Sequence, residues 1–405
     1  MTTPLEGIRV LDLTRILAGP TATQLLGDLG AEIIKVERPD SGDDTRKWGP
    51  PYVKDANGQD TTESAYYLAI NRNKKSITLD IAKPEGQKLA RKLISNCDVF
   101  IENFKVGDMA KYALAYEDLK EEFPHLIYCS ITGFGQTGPY APRAGYDFLA
   151  QGLGGIMSVT GDPKTAPMKV GVAITDITCG LYAVIAILGA LHHQKKTGKG
   201  QYIDLALLDT QVSWLANIGL NYLTSGEIPQ RMGNEHPNIV PYSVVPSADG
   251  YFILAIGNDG QFQKFCLFAD RADWAVDPRF SSNPARVRHR VELYRMIEEV
   301  TRQRTQKVWI DGLTKLGVPV GPVNNMEQVF SDPQVLHREM KITMPHSLAA
   351  SGQVDLIGNP IKFSETKIGY QLPPPICGQH TEEIFKNLLC LGEDELKKLR
   401  EQDII

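Results

Sequence analysis

Near the start of the chain, Ile8-Arg9-Val10-Leu11-Asp12-Leu13 is a largely apolar run that predicts a buried β-strand. A helical pattern follows over residues 21–30, with Pro20 at a favoured first helical position and a glycine at the end. The stretch Glu32-Ile33-Ile34-Lys35-Val36-Glu37 then predicts a second buried strand. Strand, helix and strand in this order form the unit from which parallel sheets are built.

The same rhythm continues along the first half of the chain. Further strands are predicted at residues 76–80, 98–101, 126–131 and 202–207, and helices at 84–93, 116–122, 177–193 and 209–224. These elements predict an α/β fold with a parallel sheet that is covered on both faces.

The pattern changes after residue 225, where a Pro/Gly-rich segment without periodicity begins. A strand with hairpin signals follows at residues 251–256, and amphipathic helices lie between 261 and 316. We therefore predict a large Rossmann-like domain with a parallel sheet and a smaller α+β domain. Residues 1–200 form the first segment of the large domain, 201–225 a linker helix, 226–325 the small domain, and 326–405 the return to the large domain.

Composition excludes several classes of protein. The 405 residues are 42% hydrophobic and carry a net charge of −5, which argues against general binding of nucleic acid or anionic membranes. The six cysteines form no CxxC pair, so neither a metal site nor a disulfide framework is predicted, and a reducing, cytoplasmic location is expected. The first residues contain no targeting segment. The longest apolar run, residues 179–191, is too short to span a bilayer and predicts a buried helix.

The motif Gly133-Phe134-Gly135-Gln136-Thr137-Gly138 fits the dinucleotide pattern GxGxxG and follows a predicted strand. A dinucleotide site also needs a helix that begins at the third glycine. Pro139 and Pro142 follow at once, which favours a glycine-rich turn instead.

Asp176 stands immediately before the predicted apolar helix. Aspartate at a helix start commonly caps the free N–H groups, and capping is the first interpretation. A carboxylate held at a helix N-terminus in apolar surroundings can also act as a nucleophile toward an activated acyl group. Basic residues cluster where predicted strands end, either as a solvated rim or as a site that holds polyphosphate.

With these features taken together, the whole chain resembles the family III CoA-transferases, which include formyl-CoA transferase, carnitine CoA-transferase and the α-methylacyl-CoA racemases. The resemblance is carried by five segments: residues 4–12 (PLEGIRVLD), 30–39 (GAEIIKVERP), 73–76 (NKKS), 98–104 (DVFIENF) and 196–201 (KTGKGQ). Residues 43–51, 234–242 and 321–326 are similar to the branch of the family that transfers CoA between succinyl-CoA and glutarate.

The resemblance implies a reversible CoA-transferase with CoA thioesters as substrates, no tightly bound cofactor and no metal. Asp176 is implied as the nucleophile, which forms an aspartyl-acyl anhydride and then an aspartyl-CoA thioester. An interlocked homodimer is also implied. The CoA-binding residues carried over by position are Ile16, Ala18, Arg38, Asn71, Arg72, Asn73, Lys74, Asn103, Phe104, Lys105 and Lys111.

Two further groups of residues are expected at the site. A dicarboxylate substrate has a free carboxylate that needs a cation, for which Arg46 and Arg72 are the candidates. The segment over residues 232–242 is expected to cover the nucleophile, with candidate lid residues Gly233, Asn234, His236 and Tyr242.

Alternative functions remain open. Members of the racemase branch carry a histidine where this chain has Tyr146, and tyrosine is a poor two-way proton shuttle at neutral pH, so racemase activity is disfavoured. The glycine run that closes over the nucleophile of formyl-CoA transferase is absent. A non-catalytic CoA-binding protein is a second alternative, and a nicotinamide-dependent dehydrogenase a remote third.

Overall fold

The computed structural model describes residues 2–405, which divide into two compact units. Unit 1 comprises the residues up to Gly155, Val170–Ala216 and Pro333–Ile405, and unit 2 comprises Ile156–Lys169 and Asn217–Asp332. The strands are β1 (Arg9–Asp12), β2 (Glu32–Glu37), β3 (Tyr52–Lys54), β4 (Asp60–Ser64), β5 (Lys74–Thr78), β6 (Val99–Glu102), β7 (Ile127–Thr132), β8 (Tyr202–Ala206), β9 (Tyr242–Pro246), β10 (Tyr251–Ala255), β11 (Val320–Pro322), β12 (Lys341–Pro345) and β13 (Gln353–Ile357).

The helices fill the intervals between the strands. They are α1 (Ala18–Asp28), α2 (Ala65–Leu68), α3 (Pro84–Ile94), α4 (Asp108–Lys111), α5 (Tyr116–Leu119), α6 (Asp147–Leu153), α7 (Ile156–Val159), α8 (Ile174–Thr197), α9 (Leu207–Ser213), α10 (Ala216–Ser225), α11 (Asp259–Phe268), α12 (Ala272–Val276), α13 (Asn283–Arg288), α14 (Arg290–Thr301), α15 (Gln306–Lys315), α16 (Met326–Ser331), α17 (Pro333–His337), α18 (Thr381–Leu389) and α19 (Glu393–Glu401). One turn of 3₁₀ helix spans Asp44–Lys47.

Unit 1 is built on a six-stranded parallel sheet with the strand order β5-β2-β1-β6-β7-β8. Leu11 of β1 pairs with Ile34 on one side and Phe100 on the other. Numbered within the sheet, this order is 3-2-1-4-5-6, the doubly wound Rossmann arrangement that the sequence predicted. Its direction reverses between β1 and β6, which places a crevice at the carboxyl ends of these two strands.

Two apolar layers cover the two faces of this sheet. One contains α3 with Leu89 and Leu93, and it also receives Phe385 from the C-terminal segment. The other contains α1 and α8, with Leu26 and Ile187 packed against Ile101 of β6. Strands buried on both faces explain why the first half of the sequence reads as short, nearly continuous apolar runs.

Helix α8 is longer than the predicted apolar run and is buried on one side only. Its length and its mean hydropathy of 1.9 over 18 residues match those of a membrane span, while half of that window is buried inside the protein. Helix α1 packs along it. Four apolar side chains on its other side, Leu181, Tyr182, Ile185 and Leu188, are exposed.

Unit 2 contains an antiparallel sheet, in the order β11-β10-β9, and helices α11 to α15. Phe252 of β10 stacks on Trp309 of α15 with ring centroids 6.1 Å apart, and both side chains are fully buried. Val245 and Leu254 complete the same core. These elements confirm the predicted smaller α+β fold.

The division into units differs from the predicted boundaries in two places. Residues 156–169 belong to unit 2, where Arg231 donates a hydrogen bond to the carbonyl of Thr165 (2.7 Å). Residues 201–216 belong to unit 1, because β8 is a strand of the main sheet. The single helix predicted for 209–224 is two helices, α9 and α10, and Ala216 has a positive φ of 44°.

The C-terminal segment of unit 1 returns to β5, the edge strand of the main sheet. The N–H of Asn73 donates to the carbonyl of Leu372 (2.7 Å), and the N–H of His380 donates to the carbonyl of Ser76 (2.8 Å). Just beyond β5, the N–H of Asp80 donates to the carbonyl of Ile404 (2.8 Å). The segment therefore covers an edge that other chains could otherwise pair with.

Candidate active site

A cavity of about 290 Å³ opens in unit 1 at the carboxyl ends of β1, β6 and β7. Residues that directly follow these strands form its walls, among them Ile16, Asn103 and Gly133. Asp176 and the first residues of α1 complete it. The cavity therefore occupies the position where open α/β sheets bind ligands, at the reversal of strand order.

Asp176 lies in the first turn of α8 and does not cap that helix. Residue Ala173 occupies the N-cap position, and no cap side chain bonds there. The carboxylate of Asp147 acts instead: its Oδ1 accepts from the N–H of Thr175 (2.8 Å) and of Asp176 (3.3 Å). Gln151 Nε2 donates to the other oxygen of Asp147 (2.7 Å). The Asp176 carboxylate is therefore not occupied by capping.

Two carboxylates thus lie near each other at one helix end. Asp176 is only 8% exposed. Its burial, and secondarily the charge of Asp147, raise its pKa to about 7. Because desolvation and a like charge both disfavour the anion, the Asp176 carboxylate is less stabilised and more basic than a surface aspartate.

Three cations line the cavity together with Asp176. They are Arg15, Lys105 and Arg143. The Arg15 guanidinium lies 5.6 Å from the centre of the Phe104 ring, and that of Arg143 lies 4.5 Å from the Tyr140 ring. Cations held against aromatic faces suit phosphate oxygens and a flat base.

An aromatic pair lies close to the two carboxylates. Burial, followed by the charges of Asp176 and Asp147, raises the pKa of Tyr66 to about 12. The Trp48 ring meets the Tyr66 ring edge-on, with centroids 5.2 Å apart. The Tyr66 hydroxyl therefore stays protonated at neutral pH and can donate a hydrogen bond.

A second cavity of about 230 Å³ shares Arg15 and Phe104 with the first. Arg38 lines it, and so does Tyr112, whose ring lies edge-on to Phe104 with centroids 6.3 Å apart. The two adjoining cavities together offer an elongated ligand an apolar, aromatic end and a carboxylate end.

The glycine-rich motif forms a turn. Gly133 and Gly145 cross so closely that a Cβ on Gly133 would lie 2.5 Å from the Cα of Gly145. No helix begins at Gly138, since the next one is α6, which starts at Asp147. The prediction of a turn is confirmed, and the crossing places Tyr146 at the cavity wall and is followed by Asp147, which binds the start of α8.

The site is thus a crevice at the reversal of strand order, with a buried carboxylate at a helix start. A family model described as CoA-transferase family III matches residues 5–381. The chain belongs to CoA-transferase family III. It is therefore an enzyme of that family, as the resemblance implied.

Named family III relatives cover nearly the whole chain. A succinate–glutarate CoA-transferase of Agrobacterium fabrum is 50% identical over 386 residues, which are 95% of this chain and 96% of the relative. A human succinyl-CoA:glutarate CoA-transferase is 44% identical over 402 residues, 99% of this chain and 90% of the relative. A crystal structure of a CaiB/BaiF family protein from Brucella suis superposes with a TM-score of 0.84 at 50% identity, covering 96% of this chain and 100% of that one.

Seven of the predicted site residues lie at the two cavities. The first is lined by Ile16, Ala18, Asn103, Phe104, Lys105 and Asp176, and the second by Arg38 and again Phe104. Arg15, Arg143, Asp147 and Tyr66 were missed. Arg15 lies in the turn just after β1, so the rule that ligands bind beyond strand ends could have identified it.

Residues 71–74 are buried, and their side chains form hydrogen bonds with groups that do not line either cavity. Arg72 is 2% exposed and donates twice to Asp28, at 2.9 and 2.6 Å. Asn73 Nδ2 donates to the same carboxylate (2.8 Å). Lys74 Nζ donates to Asn71 Oδ1 (2.9 Å). Arg72 and Lys74 are therefore bonded within the protein, and neither lines the two cavities.

Arg46 does not face a substrate either. It is 5% exposed, and its guanidinium donates to Glu37 and to Glu63, each at 2.8 Å. Lys111 is exposed and pairs with Asp108 (2.6 Å). Buried acidic partners distant in sequence already pair with both arginines, which disfavours this role, and the binding of a substrate carboxylate by Arg46 or Arg72 stays a prediction.

The predicted lid residues lie in unit 2. The N–H of His236 donates to the carbonyl of Tyr242 (3.1 Å), and their rings lie 5.4 Å apart. Gly233 has a φ of 59°. A covering role for Gly233, Asn234, His236 and Tyr242 stays a prediction. Across residues 2–405, no group of three or more His, Cys, Asp or Glu side chains is placed to hold a metal ion.

Proposed function

We propose that this enzyme transfers CoA reversibly between succinyl-CoA and glutarate. Relatives at 50% and 44% identity that carry these substrates in their names support the choice. The observation that carries the chemistry is Asp176, a buried carboxylate with a raised pKa, in a cavity that Arg15, Lys105 and Arg143 also line.

The first steps break and remake bonds at Asp176. Its carboxylate oxygen attacks the carbonyl carbon of succinyl-CoA, the C–S bond breaks, and an aspartyl-succinyl anhydride and a CoA thiolate form. The thiolate then attacks the Asp176 carbonyl carbon of the anhydride, which releases succinate and leaves an aspartyl-CoA thioester. Raised basicity of Asp176 favours the first attack, and burial excludes the water that would hydrolyse the anhydride.

The remaining steps run the same chemistry toward the acceptor. A glutarate carboxylate attacks the aspartyl-CoA thioester, giving an aspartyl-glutaryl anhydride and the thiolate again. The thiolate attacks the glutaryl carbonyl, so that glutaryl-CoA leaves and the free Asp176 carboxylate returns. Negative charge that builds on each tetrahedral intermediate lies at the positive end of the α8 dipole.

CoA is proposed to extend across the two adjoining cavities. Arg15, Lys105 and Arg143 line the cavity that contains Asp176 and are proposed to bind the CoA phosphates, and Arg38 lies at the second cavity. Phe104, which belongs to both cavities, offers a face for the adenine or the pantetheine arm. Ile16 and Ala18 then contact the arm close to the thioester.

We also propose an interlocked homodimer. The exposed side of α8 presents Leu181, Tyr182, Ile185 and Leu188, and Ile185 is 63% exposed. Such an apolar stripe on a helix is unfavourable in water and is suited to burial against a second copy. Light scattering should give twice the chain mass even after strong dilution, and a monomer would contradict the proposal.

A cytoplasmic location is part of the proposal. All six cysteines are free, and Cys97, Cys129, Cys179 and Cys266 are buried. Unpaired thiols are typical of a reducing compartment.

The function is tested by incubating the enzyme with succinyl-CoA and a panel of carboxylates and following new CoA thioesters by mass. We expect glutaryl-CoA, together with a CoA adduct on the peptide that contains Asp176. Mesaconate and oxalate, which occur in the names of relatives at 37% and 36% identity, test other substrate choices in the panel, because pocket shape changes preference by only about 1–3 kcal/mol per methylene. No thioester with any acceptor, while CoA still binds, would leave a binding protein as the better description.

A further inference from the structure

The turn between β1 and α1 contains an unusual backbone conformation. Ile16 has a φ of 72°. Among residues 2–405, it is the only residue with a branched Cβ among the non-glycine residues of positive φ. A branched side chain in the left-handed region is strained, and strain of this kind persists only where surrounding contacts enforce it.

The contact that enforces it comes from Asn103, which follows β6. Asn103 Oδ1 accepts the N–H of Arg15 (3.0 Å), and Asn103 Nδ2 donates to the Arg15 carbonyl (2.8 Å). One side-chain amide thus holds both polar groups of the residue before Ile16. With its donor and acceptor engaged in this way, the amide of Asn103 acts on the main chain of the turn.

Buried charges fix the turn on its other side. The N–H of Thr14 donates to Asp12 (2.8 Å), and Lys35 Nζ donates to the Thr14 carbonyl (3.0 Å). The N–H of Ile16 itself points at Asp43 Oδ1, at 3.4 Å. Thr14 is fully buried, and these bonds anchor its end of the turn. Arg15 is partly exposed: its guanidinium donates to Asp44 (2.8 Å), while its backbone N–H and carbonyl are held by Asn103.

The turn decides the shape of the cavity wall. Ile16, Leu17 and Ala18 line the same cavity as Asp176, and α1 begins at Ala18 without a side-chain cap. We propose that Asn103 is a positioning residue, whose two hydrogen bonds to Arg15 keep Ile16 left-handed and thereby hold the start of α1 in place beside Asp176. This inference rests on the proposed function for its kinetic readout, and on CoA binding for a second one.

The proposal differs from a direct contact between Asn103 and CoA, which the family resemblance implied. If Asn103 acts by enforcing the strained φ, its loss should matter only while residue 16 resists that φ. Glycine adopts positive φ readily, whereas alanine lacks the Ile16 side chain but keeps the Cβ that causes the strain. Ile16→Ala is therefore the matched control for Ile16→Gly.

The experiment places Asn103→Ala in three backgrounds: wild type, Ile16→Ala and Ile16→Gly. We expect Asn103→Ala to lower kcat/KM for succinyl-CoA and to weaken CoA binding by about ten-fold with isoleucine or alanine at position 16. With glycine at position 16 the loss should fall to about three-fold or less. Thermal unfolding identifies any variant that does not fold, and Asn103→Asp, which loses only the donor to Arg15, then replaces Asn103→Ala.

Equal losses in the glycine and alanine backgrounds overturn the inference and indicate direct contact with CoA. No loss in any background overturns it as well. If the wild-type protein transfers no CoA, the proposed function fails, and the pattern of CoA dissociation constants, measured by calorimetry, alone decides the role of Asn103.

Discussion

Unit 1 buries carboxylates in two regions, and their pKa values are shifted in opposite directions. Beneath the strand ends, Glu37 accepts hydrogen bonds from Arg46, and Asp43 accepts one from Lys35 (2.9 Å). Burial alone would raise the pKa of each, but these cations lower it, to about 2 for Asp43. At the start of α8, burial and Asp147 instead raise the pKa of Asp176.

The two regions differ in whether a cation pairs with the buried carboxylate. A buried carboxylate that is paired with a cation is a stable anion and a weak nucleophile. Glu63 shows an intermediate case, because burial outweighs the charge of Arg46 and raises its pKa. No cation is among the groups that shift the pKa of Asp176, which leaves its carboxylate without a stabilising opposite charge.

The largest expected effect is that of Asp176→Ala. Removal of the nucleophile should lower kcat by about a thousand-fold or more, because no covalent relay remains. CoA binding, measured by calorimetry, should stay within a few-fold of the wild type. Transfer that persists in this variant would show that the unpaired carboxylate is not the reacting group.

Loss of a cation that pairs with buried carboxylates should lower the free energy of unfolding. Arg46→Met leaves Glu37 and Glu63 buried without their cation, which should cost about 3–5 kcal/mol in the free energy of unfolding. Denaturant titration measures this, and the KM for both substrates in the folded enzyme should not change. Lys111→Met, which breaks an exposed pair, is the control and should have no measurable effect. A raised KM with unchanged stability would instead indicate that Arg46 binds the substrate carboxylate.

Asp176→Asn should stabilise the protein while it inactivates it. The pKa of folded Asp176 is about 7, whereas the ordinary pKa of this side chain is 3.8. Wild-type stability therefore falls as the pH rises from about 4 to 7, and asparagine does not titrate. The stability difference between variant and wild type should grow by on the order of 3 kcal/mol over this range and stay constant above it. A difference that is independent of pH contradicts the raised pKa.

The smallest effect concerns Asp147. Asp147→Asn keeps an oxygen for the N–H of Thr175 but removes the charge that helps raise the pKa of Asp176. Wild-type kcat/KM should fall ten-fold per pH unit below about pH 7, and this limb should move down by about half a pH unit in the variant. Asp108→Asn removes a carboxylate from the same cavity wall and should leave the limb in place.

Much of the fold could be predicted because its signals are local. Strands buried on both faces, such as β1 and β2, show unbroken apolar runs, and the order of strand and helix then implies a parallel sheet. The hairpins β3–β4 and β12–β13 were missed, because they are short, lie at the surface and carry many polar residues.

Site residues were predictable where the local sequence alone identifies them. The family resemblance implied Asp176 and Asn103 by position, and both line the cavity. The pairing of Arg46 with Glu63 and of Arg72 with Asp28 was not predicted, because these carboxylates lie 17 and 44 residues away. The sequence around an arginine does not reveal which buried acid the fold brings to it.

The return of the last residues to β5 has a consequence for synthesis on the ribosome. Leu372, His380 and Ile404 supply backbone partners at or beside this edge strand. A nascent chain has every strand of the main sheet by residue 206 but cannot cover that edge until its final residues emerge. Translation of the intervening stretch leaves an open edge available for pairing with neighbouring nascent chains. A stop codon near residue 370 should therefore yield an aggregating product, although it leaves Asp176 and the whole main sheet intact.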